Sequence, residues 1–106
     1  MVNTVSEFFA ALEHAIDPTK TLGIDATFQF VITGEGGGEW YVRLVDGKPS
    51  VAQGTADHPD IILAATASDW LDMVNGKLSG QTAFLTGKLK LQGDITLAMK
   101  LQSLLG

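Results

Sequence analysis

Few side chains in this sequence are suited to chemistry, and they are scattered. Cysteine is absent, which removes thiolate nucleophiles, thiolate metal ligands and disulfides. The two histidines, His14 and His58, are far apart. His14 falls away from the apolar stripe of a helical stretch and reads as solvated. His58 sits in Asp57-His58-Pro59-Asp60, where one imidazole and two carboxylates offer a loose metal site, but a solvated turn explains the same residues better. Ser6, Ser50, Ser68, Ser79 and Ser103 have no nucleophile-elbow context, and no G-x-S-x-G occurs. Gly34 to Gly38 fails G-x-G-x-x-G because Glu39 takes the last glycine's place, and a strand follows instead of a helix that would meet a phosphate. Gly87-Lys88 looks like the end of a phosphate loop but lacks the earlier glycine and also leads into a strand. No catalytic residue, metal or cofactor is expected.

The elements that position these residues are more legible. Thr4-Val5-Ser6-Glu7 fits a capping box, and Val5, Phe8, Phe9, Leu12 and Ile16 follow at helical spacing. The helix is predicted over 4–16, with Asp17-Pro18 as its stop. From Asp25 the period becomes two: Ala26, Phe28, Phe30 and Ile32 alternate with Thr27, Gln29, Val31 and Thr33. Phe28, Phe30 and Ile32 are expected to face the helices, opposite Phe84, Leu97 and Met99, with Thr27 and Gln29 outward. A second strand over 39–45, a tight turn at Asp46-Gly47 and a weaker strand over 48–55 complete an antiparallel meander. Ile61 to Ala65 is an unbroken apolar run, which predicts a central strand buried on both faces. Thr66 opens a second capped helix that ends at Asn75-Gly76, and a short helical piece spans 81–86. Residues 88–92 alternate as a fifth strand, Gly93-Asp94 turns, and a helix over 95–105 closes the chain. No internal repeat stands out. The class is α+β, a five-stranded, mostly antiparallel sheet with helices on one face. Residues 1–106 are expected to form one domain.

Charge and apolar surface are both unevenly spread. The net charge of −5 argues against general nucleic-acid binding. Residues 1–76 carry a balance of −8, whereas 77–106 carry Lys77, Lys88, Lys90 and Lys100 against Asp94 alone, a balance of +3. Two readings stand: scatter of solvated charges, or a face meant for anionic lipid head groups or an acidic ligand. On the closing helix, Ile95, Leu97, Ala98, Met99, Leu101, Leu104 and Leu105 span an arc of roughly 220° at ~100° per residue. Packing on one sheet needs an arc of only ~100° or a little more. Either this helix is wedged between two elements, or part of its surface lines a cavity. No apolar run approaches the roughly 20 residues of a membrane span, and the start of the sequence has no basic n-region.

Residues 83–94, AFLTGKLKLQGD, followed by Leu97-Ala98-Met99-Lys100-Leu101, closely resemble the signature A-F-x-x-G-K-L-K-[IL]-x-G-[DN] and L-A-x-K-L of the sterol carrier protein type-2 domain. The earlier chain agrees through its N-terminal helix, its W-x-V-x-L-x-x-G strand and the aspartate-initiated helix after the fourth strand. The resemblance implies a sheet whose helices enclose an apolar tunnel for fatty acids, acyl-CoA esters, phospholipids or sterols, without catalytic residues. Such a tunnel is expected to draw on Phe28, Phe30, Ile32 and Trp40 from the strands. Trp70, Met73, Phe84, Leu97, Met99, Leu101, Leu104 and Leu105 would come from the helices. The expected partners are a lipid, transiently an anionic membrane surface, and no nucleic acid. Many eukaryotic members end in Ser-Lys-Leu; this sequence ends Ser103-Leu104-Leu105-Gly106, so a cytoplasmic rather than peroxisomal location is expected. The alternative is a non-catalytic accessory module for a lipid- or quinone-pathway enzyme, its apolar C-terminal surface serving as the contact.

Overall fold

The computed structural model of the protein describes residues 2–16, 18–21 and 23–105, and the side chains of 13, 18, 20 and 102–105 also fall outside the description. Helix α1, Val5–Ala15, starts where expected: Thr4 Oγ1 accepts from the Glu7 amide at 3.0 Å. Glu7 reaches back, but to the Thr4 hydroxyl and the Asn3 amide, both 3.3 Å away, rather than to the Thr4 amide. Ile16 is already extended, so the helix ends there. Asp17, read as the stop, lies outside the described residues. A short helix, α2, follows at Pro18–Thr21.

Strands β1 (Ala26–Thr33), β2 (Gly38–Val45) and β3 (Lys48–Gln53) form the meander. Asp46 and Gly47 both have positive φ, 52° and 80°, as a two-residue hairpin turn with the right twist requires. Strand β4 (Ile61–Thr66) then joins the far side of β1 in parallel, and β5 (Lys90–Gly93) adds antiparallel to β4. The order is β3-β2-β1-β4-β5. Helices α3 (Ala67–Val74), α4 (Gly80–Leu85) and α5 (Ile95–Leu105) complete the α+β fold. One face of the sheet, carrying Phe28, Phe30, Ile32, Val42, Leu44 and Leu63, shares a core with Phe9 and Leu12 of α1, Trp70 of α3 and Leu101 of α5.

Two sequence expectations about the sheet need correction. Gln29, assigned to the outside, is only 2% exposed. Its parity is as expected, but the crossover from β3 to β4 runs over that face and buries it. The Gln29 amide donates to the Trp40 and Gly54 carbonyls at 3.0 and 3.1 Å and accepts from the Ala56 amide at 2.7 Å. Strand β4 has β1 and β5 as neighbours, but it is not buried on both faces: Ile61, Leu63 and Ala65 are buried while Ile62 and Ala64 are half-buried. The crossover covers only part of the outer face, so the apolar run overstates its enclosure.

The start of β5 also differs, and the reason is a helix cap. Strand pairing begins at Lys90 rather than Lys88. Thr86 ends α4, Gly87 takes φ 80°, and the Lys88 and Leu89 amides both donate to the Ala83 carbonyl, at 2.8 and 3.0 Å. Those donors are spent on the helix and cannot serve the ladder. Helix α3 ends in the same way: Gly76 takes φ 78°, and the Lys77 and Leu78 amides donate to the Asp72 carbonyl at 2.8 and 3.1 Å. The segments Gly76-Lys77-Leu78 and Gly87-Lys88-Leu89 are thus one local device used twice.

The Gln29 bonds give a stability prediction. Gln29→Leu leaves backbone groups of the crossover without partners and is expected to cost about 2–3 kcal/mol, at ~1 kcal/mol per bond. Thr27→Ala, on the same face of β1, should change stability by no more than ~0.5 kcal/mol through its side chain. Urea unfolding of the two variants measures the difference; equal losses would mean that the amide does not hold the crossover.

Candidate functional site

Aromatic rings from four elements converge on the helix-covered face of the sheet. On α1, Phe8 and Phe9 are adjacent and therefore turned ~100° apart. Phe9 meets Phe30 of β1 at a centroid distance of 5.1 Å, while Phe8 meets Trp70 edge-on at 5.5 Å. Phe9 also lies parallel to two indoles: Trp40 of β2 at 5.0 Å and 10°, and Trp70 of α3 at 6.4 Å and 4°. Trp70 reaches this place because α3 begins directly at the end of β4. Thr66, the last residue of β4, accepts from the Asp69 amide at 3.1 Å, and one turn later Trp70 lies over Phe30 at 5.4 Å. At the C-terminal end of α3, Asn75 closes a reciprocal pair with the backbone of Val2, at 2.9 and 2.8 Å. This ties the segment before α1 to α3.

The opposite end of the site is set by Gly93-Asp94. A Cβ on Gly93 would stand 2.5 Å from the Asp60 carbonyl oxygen, so this position admits only glycine without a backbone shift. Asp94 donates its amide to that same carbonyl at 2.9 Å and caps α5, its carboxylate accepting from the Thr96 amide at 3.1 Å. Asp60, singled out above as half of a loose metal site, has a structural role. Its carboxylate accepts from the Thr27 amide at 2.7 Å and its carbonyl holds Asp94.

The residues expected to line a tunnel separate into two groups. Phe28, Phe30, Ile32, Trp70 and Leu101 are buried, and Trp40, Met73 and Leu97 are half-buried against the same core. Phe84 and Met99, expected opposite Phe28, instead lie at the surface, 47% and 67% exposed. Helix α4 turns Ala83 inward, so Phe84, one residue on, points elsewhere; α5 packs through Leu97, Ala98 and Leu101, which leaves Met99 and Ile95 outside. The side chains of Leu104 and Leu105 lie outside the described residues. Leu85, 73% exposed, joins the exposed apolar set, and sequence reasoning missed it. Phe9 was seen only as part of a stripe; two adjacent phenylalanines on one short helix were the available signal that it meets more than one surface. Lys77, Lys88, Lys90 and Lys100 are all exposed. Among the described residues, no helix is long and apolar enough to cross a membrane, and no three metal-ligating side chains gather.

Against known proteins, residues 7–106 match the model of the SCP-2 sterol transfer family. Hydroxysteroid dehydrogenase-like protein 2 of Xenopus tropicalis is 34% identical over 103 residues, which cover 96% of this chain and 25% of that protein. The chain therefore spans about a quarter of the length of that curated relative. The palmitated SCP2L2 of Aedes aegypti, solved by solution NMR, is 30% identical with a TM-score of 0.74, covering 95% of this chain and 89% of the other. The stereoselective inverting sec-alkylsulfatase Pisa1 from Pseudomonas sp. shares the fold, with a TM-score of 0.84 at 24% identity, over 96% of this chain and 16% of its own.

If Phe9 organises the cluster, Phe9→Ala should cost about 3–5 kcal/mol. Met99→Ala, which removes an exposed side chain, should stay within ~0.5 kcal/mol of the parent. Denaturant unfolding of the two variants tests the division into a packed half and an exposed half.

Proposed function

We propose that this chain, which belongs to the SCP-2 sterol transfer family, is a non-catalytic carrier that holds the apolar body of a fatty or sterol-like lipid between its sheet and its C-terminal helix. The observation that carries this reading is the distribution of apolar surface on α4 and α5. Leu101 is buried while Ile95 and Met99 of the same helix, with Phe84 and Leu85 of α4, remain exposed. A helix that only covered a core would keep its apolar side chains on one stripe. The palmitated state of the Aedes aegypti relative makes a C16 fatty acid the natural first probe. Burying such a chain contributes about 12 kcal/mol at ~0.8 kcal/mol per methylene. Association costs of ~4–15 kcal/mol offset much of it, so a Kd of about micromolar is expected.

The exposed part of the patch has a role of its own in this reading. Phe84, Leu85, Ile95 and Met99 share the C-terminal third with four exposed lysines. Apolar side chains among cations suit transient contact with an anionic bilayer. A second reading, a module serving an enzyme, is favoured by the lengths of the relatives, since the chain covers a quarter of one and 16% of another. Native mass spectrometry of protein taken from its host separates the two: co-purified lipid supports the carrier, a bound protein without lipid supports the module.

Two measurements test the carrier. Truncation after Leu101 keeps that buried leucine and removes Leu104 and Leu105. Palmitate binding should weaken about tenfold, on the order of 1–2 kcal/mol of lost apolar contact, with the unfolding transition retained. Unchanged binding would place the lipid elsewhere. Transfer of a fluorescent fatty acid to vesicles should quicken with anionic lipid and slow with salt, and reversing Lys88 and Lys90 together should abolish that dependence while leaving equilibrium affinity near the parent value. Rates indifferent to lipid charge would remove the membrane contact from the proposal.

A further inference from the structure

Two indole nitrogens in the packed half of the molecule have no hydrogen-bond partner. Nε1 of Trp40 and Nε1 of Trp70 are both buried, and neither meets an acceptor. Other buried polar side chains behave differently. The Gln29 amide uses both its oxygen and its nitrogen, and the buried Thr21 hydroxyl donates to the Gly47 carbonyl at 2.6 Å. Buried donors are normally paired, so an exception calls for a physical reason. Trp70 is 5% exposed, and an indole N–H can only donate. The two rings belong to one cluster, each parallel to Phe9. Both tryptophans lie on the helix-covered face of the sheet, on β2 and α3 against Phe9.

Resting on the carrier reading, we propose that the acceptor these indoles lack is the carbonyl oxygen of a bound acyl lipid, a fatty acid or its ester. A carbonyl offers two lone pairs and no donor, which matches donors that cannot accept. A group with its own N–H or ammonium would leave more donors unpaired. The tryptophans thereby orient the ligand: the acyl head lies beside the α1–α3 cluster and the hydrocarbon runs toward α5.

The test uses the native chain, whose two tryptophans give two indole N–H resonances in a proton–nitrogen correlation spectrum. Palmitate, methyl palmitate and hexadecane are each delivered from cyclodextrin. At least one indole proton should move downfield with an acyl ligand and not with hexadecane. A shift with both acyl ligands identifies a neutral carbonyl as sufficient, and a shift with palmitate alone identifies the carboxylate; either supports the proposal. Equal responses to all three ligands, or acyl binding without a downfield shift, overturn it. Trp40→Phe and Trp70→Phe keep a ring and remove the donor. At least one should weaken acyl binding about tenfold while hexadecane is held as before. Equal weakening for all three ligands would mean that the indole acts by packing, and the proposal fails. If none of the three binds the native chain, the carrier reading falls first and takes this inference with it. If all bind without the acyl-specific shift, only this inference falls.

Discussion

Gln29 holds the segment on which the second half of the fold depends. After β3 the chain is at one edge of the sheet, and it must reach the far side of β1 to place β4 there in parallel. No helix carries this crossover, so its backbone groups lack the internal partners a helix would provide. One buried amide supplies two of them, bonding Gly54 and Ala56 while also holding the Trp40 carbonyl. Glu39 adds bonds to the Gly54 amide and the Thr55 hydroxyl. The crossover ends at Asp60, whose carboxylate and amide both bond the backbone of Thr27. From that anchored point come β4, the site where β5 pairs, and the carbonyl that receives Asp94 at the head of α5. Misplacing the crossover would move every element that contributes to the C-terminal half of the site.

Short helices then have to stand on a sheet without much length to stabilise them. Helix α3 has eight residues and α4 has six, both below the length at which a helix is stable alone. Each is closed at both ends by its own sequence. Thr66 and Ser79 cap the starts, and a glycine in the left-handed region followed by Lys-Leu closes the ends. Helical spacing turns Ala83 inward and Phe84 and Leu85 outward. The caps leave Lys77 and Lys88 exposed beside helix C-termini, where positive charge is favourable.

Much of this was legible in the sequence because the relevant physics is local. Thr4 and Thr66 announced their helices, and the alternation of Phe28, Phe30 and Ile32 fixed the inner face of β1. What escaped depended on contacts between distant segments. Nothing near Gln29 says that a loop 25 residues later will cover it. The Lys88-Leu89 alternation fits a strand until the helix before it takes their amides. Of the expected lining residues, those on strands and α3 came together, whereas Phe84 and Met99 did not. Their inclusion rested on apolar character, and their placement is set by the facing of Ala83 and Leu101. The second use of the Gly-Lys-Leu cap was also invisible as a repeat, because the helices before it differ in length and in sequence.

The two ends of the molecule therefore meet different physical demands. Around Phe9, ring centroids stand 5.0–6.4 Å apart, and the rings tie two helices to the sheet. Around α5, the inner residues Leu97 and Ala98 are only half-buried while Met99 is exposed. A carrier needs both conditions at once. As the proposed carrier it must stay folded when empty, which the ring cluster favours through contacts that involve α1, α3, β1 and β2 but not α5. It must also admit a ligand without unfolding, which requires that the element that yields contribute few of those contacts. Helix α5 fits that demand: its packing reaches the core through one buried residue among those described, Leu101, and its start is held by Gly93 and Asp94. Under the proposed carrier reading, α5 is therefore the element that would yield to a ligand, with its start at Gly93-Asp94 as the fixed point.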